Sequence, residues 1–287
     1  MSLKLPSLPR DSAGLGLRRV HFDDLLGDVP SAIDFMEVAP ENWMDVGGAG
    51  GRKFRALAER VPLVCHGLAL NLGGHAPLDV AFLGRLRGFL AEVGARCYSE
   101  HLSYCGDHAH LYDLMPLPFT QETVRHVAAR IRQAQDMLGM RMAVENVSYY
   151  ARPATDLTEI EFLNAVLSEA DCLLHLDLNN IYVNSINHGY DATAFVRAVP
   201  GERIAYAHVA GHHYESEQLR IDTHGADVIE PVWHLLDLAY AEHGVFPTLL
   251  ERDFDIPPLA EALKEVEIIA ASLAHHRAPR VRRFAHA

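Results

Sequence analysis

Positive charge is in short supply in this chain. Twenty-five Lys and Arg stand against 38 Asp and Glu, a formal net charge of −13, and so acidic a protein is a poor match to a phosphate backbone, whose binding depends on clustered cations that release counterions. Nucleic acid is therefore set aside as a partner. Cysteine is sparse as well: Cys65, Cys97, Cys105 and Cys172 fall at no CxxC spacing, which argues against thiolate-bound structural zinc and reads as reduced thiols. No apolar run approaches the roughly 20 residues that a bilayer span needs, and MSLKLPSLPR at the N-terminus has no apolar stretch after its lysine. Neither a membrane role nor a secretory signal is expected, and the expected location is the cytoplasm. There is no glycine-rich phosphate loop after a first strand, NLGGHA at 71–76 being a turn signal only, and no GxSxG elbow for a serine nucleophile.

What the chain does have is an ordinary globular balance, 49% hydrophobic and 22% charged residues over 287 positions, enough to bury a sizeable core. Eight short apolar or β-branched runs read as strands: GLGLR near 14, FMEVAPENW from 35, PLVCHGLAL from 62, CYSEHLSYC from 97, MAVENVSYY from 142, LLHLDLNNIYV from 173, IAYAHVAGHH from 204 and PTLLERDFD from 247. Between them the pattern predicts helices over 51–60, 78–94, 120–138, 156–169, 191–199, 228–242 and 259–273. Strand and helix alternate throughout, with no linker or composition break. Eight repeats in this length predict one α/β domain, a closed (β/α)₈ TIM barrel over residues 1–274, with a basic tail over 275–287 carrying Arg277, Arg280, Arg282 and Arg283. An open doubly wound sheet is the alternative, and it lacks its usual phosphate-binding turn.

Nearly every predicted strand ends in ionisable or amide side chains. In chain order these are Glu37, Glu41 and Asn42; His66 and Asn71; Glu100 and His101; Glu145 and Asn146; His175, Asp177 and Asn180; His208, His212 and His213; and Glu251 and Asp253, with Asp222 and His224 on the loop after the seventh strand. One strand-end histidine taken alone reads as a hydrogen-bonded core group. Glu145 or Glu251 taken alone reads as the partner of an arginine such as Arg141 or Arg252. Structural accidents would scatter over both ends of a barrel, however, whereas these gather at the C-terminal end where barrel enzymes place their chemistry. Clustered carboxylates and imidazoles suit a first-row transition metal, and carboxylates such as Glu145 and Asp177 could bridge two ions. His108, His110 and His126 read as surface groups, Tyr104, Tyr149 and Tyr150 as either pocket or packing residues, and Cys65 and Cys105 as packing thiols.

The stretches EVAPENWM, HGLALNLGG, SEHLSY, ENVSYY, HLDLNNIYVNSINHGYD, AHVAGH, DTHG and LLERD resemble the multinuclear non-haem iron-dependent oxidase family, typified by the larger subunit of the methanobactin-modifying enzyme. The likeness runs from about residue 12 to 270. It implies a xylose-isomerase-like barrel that binds two or three iron ions. With dioxygen as co-substrate, such an enzyme oxidises cysteines of a ribosomally made precursor peptide to oxazolone with thioamide or a related sulfur heterocycle. It also implies a smaller partner protein that recognises the leader of that cysteine-containing peptide. Carried over motif by motif, the implied ligands are His66, His101, Glu145, Asp177, His208, Asp222, His224 and Glu251. Asn180 and His188 fall at positions that are either ligands or neighbours of ligands. Glu145, Asp177 and Asp253 are expected to carry the catalysis, and Glu37, Asn42, His175 and His188 to support the ligands or touch the substrate. Two other readings share the residue types: a divalent-metal hydrolase or sugar isomerase of the endonuclease IV or xylose isomerase kind, and a metal-storage or metal-chaperone protein.

Overall fold

The computed structural model describes residues 8–106, 110–151 and 154–277. In chain order the elements are β1 (Ala13–Gly16), α1 (Phe22–Gly27), β2 (Phe35–Val38), α2 (Gly48–Ala58), β3 (Leu63–Gly67), α3 (Val80–Glu92), β4 (Tyr98–His101), β5 (Tyr104–Gly106), β6 (His110–Met115), α4 (Gln121–Leu138), β7 (Ala143–Glu145) and α5 (Glu159–Ala170). There follow β8 (Leu173–Asp177), α6 (Leu178–His188), α7 (Ala192–Ala198), β9 (Ile204–Val209), β10 (His213–Ser216), β11 (Leu219–Ile221), α8 (Glu230–His243), β12 (Thr248–Leu250) and α9 (Leu259–Arg277). Eight strands, all in parallel, close into a barrel in the order β1, β12, β9, β8, β7, β4, β3, β2. Each overlaps one of the eight runs picked out in the sequence, β1 beginning one residue before its run.

Two apolar layers follow from the strand period of two. Residues such as Leu15, Met36, Cys65, Tyr98, Val144, Leu174, Leu176 and Val209 face outward and join the helices in one large core. Their neighbours Phe35, Val64, Cys97, Ala143, Tyr206 and Leu249 face inward and plug the barrel. This inner plug sits low, and its position decides what stands above it.

Three features depart from the sequence reading. The run LLHLDLNNIYV is a strand only as far as Asp177; there the Asp177 carboxylate accepts a hydrogen bond from Asn180 N at 2.6 Å and starts α6. Apolar residues at 178, 181 and 183 fit either period, and the aspartate cap decides in favour of the helix. Two antiparallel hairpins, β5–β6 and β10–β11, rise from the C-terminal ends of β4 and β9, too short to stand out from the strands they extend. His126 is half-buried with Nε2 3.0 Å from the Gly74 carbonyl rather than free at the surface. Helix α9 runs through Arg277; Arg280, Arg282 and Arg283, like His108 and the first seven residues, lie outside the described residues. No described helix is long and apolar enough to cross a membrane.

Candidate metal centre

Two residues along seven of the eight barrel strands from the apolar plug, the inward-facing position becomes polar. Phe35 is followed by Glu37, Val64 by His66, Cys97 by Ser99 and then His101, Ala143 by Glu145, Leu173 by His175 and then Asp177, Tyr206 by His208, and Leu249 by Glu251. Parallel register sets His101 beside Glu145 and Asp177 beside His208. The barrel thus converts a period-two pattern into a ring of imidazoles and carboxylates on an apolar floor.

Three groups of ligand atoms overlap in that ring. In the first, Nε2 of His66 and Nε2 of His101 lie 3.1 Å apart, and Glu145 Oε2 is 3.2 and 3.3 Å from them. In the second, His208 Nδ1 lies 2.8 Å from Glu251 Oε2, 3.8 Å from Asp177 Oδ2 and 3.9 Å from Glu145 Oε1. In the third, His224 Nδ1 lies 3.1 Å from Glu251 Oε2 and 3.0 Å from Asp253 Oδ2, while its Nε2 is 2.6 Å from Asp222 Oδ1. Glu145 links the first group to the second and Glu251 the second to the third, as carboxylates shared between neighbouring ions would.

The donor set fits metal ions. Buried polar atoms normally find partners, yet Glu145 Oε2, Asp177 Oδ2, Asn180 Oδ1, His208 Nδ1 and His224 Nε2 are buried without a hydrogen bond, all on the cluster side. Oxygen and imidazole nitrogen without thiolate suit iron, manganese or zinc in an open site. A fourth grouping, Glu37 with His175 and His208, is of a different kind: Glu37 Oε2 is hydrogen-bonded to His208 Nε2 at 3.0 Å, so it anchors the side of the His208 imidazole away from the other carboxylates.

Burial and neighbouring charges act against each other on the titratable groups of the ring. Burial opposes charge on His208, but Glu37 and Glu251 outweigh it and hold its pKa well above the usual imidazole range; Asp222 and Glu251 do the same for His224. His101, against burial, is raised to about 9 by Glu100 and Glu145. Glu251 is held well below the usual carboxylate range by His208 and His224, in spite of burial. Asp177 goes the other way, pushed well up by burial and then by Glu145. His175, fully buried under the cluster with Tyr206 stacked on it at 4.0 Å, is held neutral by burial and by the neighbouring His208.

The loop after β11 must come close to bring Asp222 and His224 in. A side chain at Gly211 would run into the Ala226 carbonyl, so only glycine allows that approach. His224 itself sits at φ 49°, in the left-handed region, held there by its three carboxylate contacts. Asp222 is fixed from behind: Ser148 Oγ donates to it at 3.1 Å, Asn179 Nδ2 at 2.9 Å, and its own N–H donates to Tyr150 Oη at 2.8 Å. Asn179 in turn meets His212 Nδ1 at 2.7 Å.

Other expected residues stand further off. Asn42 is exposed and lines the cavity wall. His188 stacks on Tyr149 at 3.9 Å with Nε2 2.8 Å from the Tyr149 carbonyl, and belongs to none of the ligand groups. Adjacent to His101, Glu100 points away from the ring and accepts from Leu70 N and Tyr98 Oη. Arg18 escaped the sequence reading. Its guanidinium lies 2.5 Å from Asp253 and 3.3 Å from Glu251 and donates to the Arg252 carbonyl, fixing a positive charge among the carboxylates. An arginine directly after β1, at the rim of so acidic a site, is the signal that could have found it.

The ring opens into a cavity of about 900 Å³ walled by Arg18, Trp43, Leu68, Met115, Tyr150 and Phe254 among others, at the upper end of the range for ligand pockets. Leu68, Met115, Tyr150 and Phe254 are exposed at its mouth.

Glu159 pins the loop after β7 to α6: it accepts from Tyr149 Oη and from Asn184 Nδ2, each at 3.1 Å. Burial pushes its carboxyl up to about 7 from the usual 4.5. The folded chain therefore holds this proton more tightly than the unfolded one. Stability falls as pH rises from about 4.5 to about 7, a loss on the order of 3 kcal/mol from this group. Glu159→Gln should remove that decline, so urea unfolding at pH 5 and pH 8 should show a pH-dependent gap between wild type and variant that is widest at pH 8; parallel curves would refute the assignment.

The model of the RiPP precursor modification enzymes MbnB/TglH/ChrH matches residues 12–274. A UPF0276 protein of Shewanella loihica is 60% identical over 256 residues, 89% of this chain and 92% of that protein. Among solved structures, a xylose isomerase domain protein from Alicyclobacillus acidocaldarius aligns with TM-score 0.61 at 17% identity, over 92% of this chain and 99% of the other. Endonuclease IV from Thermus thermophilus aligns with TM-score 0.56 at 18% identity, over 91% and 98%. At such identities these likenesses concern the barrel fold alone.

Proposed function

Because the chain belongs to the MbnB/TglH/ChrH family of RiPP precursor modification enzymes, we propose that its ring holds two or three irons and that it uses dioxygen to oxidise a cysteine of a ribosomally made precursor peptide in the cytoplasm. The single observation that supports this most is the overlap of the three ligand groups through Glu145 and Glu251. His66, His101 and Glu145 would hold one ion, Asp177, His208 and Glu251 with Asn180 a second, and His224 with Asp222 a third. Bound iron would supply the electron-transfer steps that dioxygen chemistry requires and a position for a soft substrate thiolate.

The chain's own groups do the rest. The cavity admits an extended peptide, and the exposed Leu68, Met115, Tyr150 and Phe254 at its mouth offer apolar contacts to residues beside the reacting cysteine. Asp253 has one oxygen on Arg18 and the other 3.0 Å from His224, and its side chain is 39% exposed to the cavity. It can take a proton from the bound peptide there, with Arg18 holding the carboxylate in place. None of the chain's cysteines suits a nucleophile: burial drives the Cys65 thiol far up and Cys105 to about 11. A smaller partner protein that grips the peptide leader completes the reading.

Anaerobic reconstitution with Fe(II) followed by elemental analysis is expected to find more than one iron per chain, with peptide modification lost on chelation and restored by iron. Zinc alone, with activity surviving iron removal, would overturn the proposal.

A further inference from the structure

Under the ligand ring lies a second set of buried polar groups with a connectivity of its own. His66 Nδ1 is 2.7 Å from Ser99 Oγ, Ser99 Oγ is 2.7 Å from Tyr206 Oη, Tyr206 Oη is 2.6 Å from Glu37 Oε2, and Glu37 Oε2 is 3.0 Å from His208 Nε2. His66 is 5% exposed and the other four 2% or less. The two ends of this chain of contacts are imidazoles of the ring; its middle members, Ser99 and Tyr206, touch no other part of it by hydrogen bond.

Counting hydrogens fixes its direction. A hydroxyl has one hydrogen to give and a carboxylate has none. Glu37 must accept from both Tyr206 and His208. With its hydrogen committed to Glu37, Tyr206 can only accept from Ser99, and Ser99 can then only accept from His66. His66 therefore carries hydrogen on Nδ1 and leaves a lone pair on Nε2, the atom facing His101 and Glu145. His208 carries hydrogen on Nε2 and turns Nδ1 toward Glu251 and Asp177.

We propose that Ser99, Tyr206 and Glu37 form one directional hydrogen-bond chain by which a single carboxylate holds a hydrogen on Nδ1 of His66 and on Nε2 of His208, so that Glu37 positions His66 through two intervening hydroxyls. Its value to the protein rests on the metal-centre reading above, since a ligand imidazole must offer a lone pair to the ion, and the partner on its other nitrogen decides which nitrogen is free.

Glu37→Leu removes the acceptor. The Tyr206 hydroxyl then turns to Ser99, Ser99 turns to His66 Nδ1, and the imidazole hydrogen moves to Nε2, toward the ring. Glu37→Gln, whose amide oxygen can take the place of Oε2, keeps the direction. Tyr206→Phe takes away the acceptor of the Ser99 hydroxyl, which then turns to His66 Nδ1 in the same way, and in that background Glu37→Leu has nothing further to change. The test is the ¹⁵N shifts of the His66 ring in metal-free protein labelled with ¹⁵N-histidine, alongside cobalt(II) titration of the same proteins. His66 is expected as the Nδ1–H tautomer in wild type and Glu37→Gln, and as Nε2–H in Glu37→Leu, Tyr206→Phe and the double variant. Cobalt affinity should fall roughly ten- to a hundredfold in Glu37→Leu and be retained in Glu37→Gln. An Nε2–H wild type, or an unmoved tautomer in Glu37→Leu or in Tyr206→Phe, would overturn the chain. Failure of wild type to bind cobalt or iron would instead overturn the metal centre, leaving the tautomer result to decide this inference by itself.

Discussion

Glu145→Ala should strip at least about one iron from each chain and slow peptide modification by roughly a thousandfold, taking about 4 kcal/mol for a lost ion at about 1.4 kcal/mol per factor of ten. Glu145 stands within 3.9 Å of ring nitrogens from His66, His101 and His208, so no other single residue reaches as far into both of the first two groups. Asp177 should show the same loss of iron, and here the structure chooses the substitution. Its Oδ1 caps α6 while Oδ2 faces the ring without a hydrogen bond. Asp177→Asn keeps the cap and removes the charge, whereas Asp177→Ala also forfeits about 1 kcal/mol of helix capping. Burial and Glu145 already favour a protonated Asp177 in the metal-free chain, so the asparagine variant should fold with little loss. Elemental analysis after anaerobic loading, with circular dichroism melting of the metal-free proteins, checks both parts. Unchanged iron in the Glu145 and Asp177 variants together would move the site elsewhere.

The second large effect concerns the peptide. Incubation in air with a cysteine-containing precursor should lower the peptide mass by loss of hydrogen at cysteine, and the change should vanish without oxygen. Substituting that cysteine by serine should abolish it, because a hydroxyl has neither the softness nor the acidity of a thiol toward iron. The enzyme's own cysteines should not matter. Cys65 is fully buried in the layer between strands and helices, and Cys105 is buried with its sulfur 3.8 Å from the Leu68 carbonyl. Cys65→Ala and Cys105→Ala should leave the reaction largely intact, with a packing cost to stability at Cys65 on the order of 1 kcal/mol. High-resolution mass spectrometry of the peptide decides it. An oxygen-independent change, or cleavage of a peptide or sugar bond, would mean that this chain does different chemistry.

Some of this was written in local pattern. Eight apolar runs with helical segments between them dictate a strand–helix alternation, and polar residues at the ends of those runs mark one face of the barrel, because burial pattern and strand period are properties of neighbouring residues. The motifs that carry the family resemblance lie on those same run ends, save DTHG at 222–225 on the loop after the seventh run. Local pattern could not decide between adjacent candidates. Glu100 and His101 look alike as strand-end ligands, yet only His101 points into the ring, since alternate residues face opposite sides and the closed register alone says which side is inside. Nor could it tell that the strand through Asp177 stops there and caps a helix. The contacts that make the site are long in sequence: Arg18 reaches Asp253 across 235 positions, and Tyr206 reaches Glu37 across 169. Such pairs exist because barrel closure sets the last strand beside the first and lets inward-facing side chains meet across the barrel, and no window of sequence contains that fact.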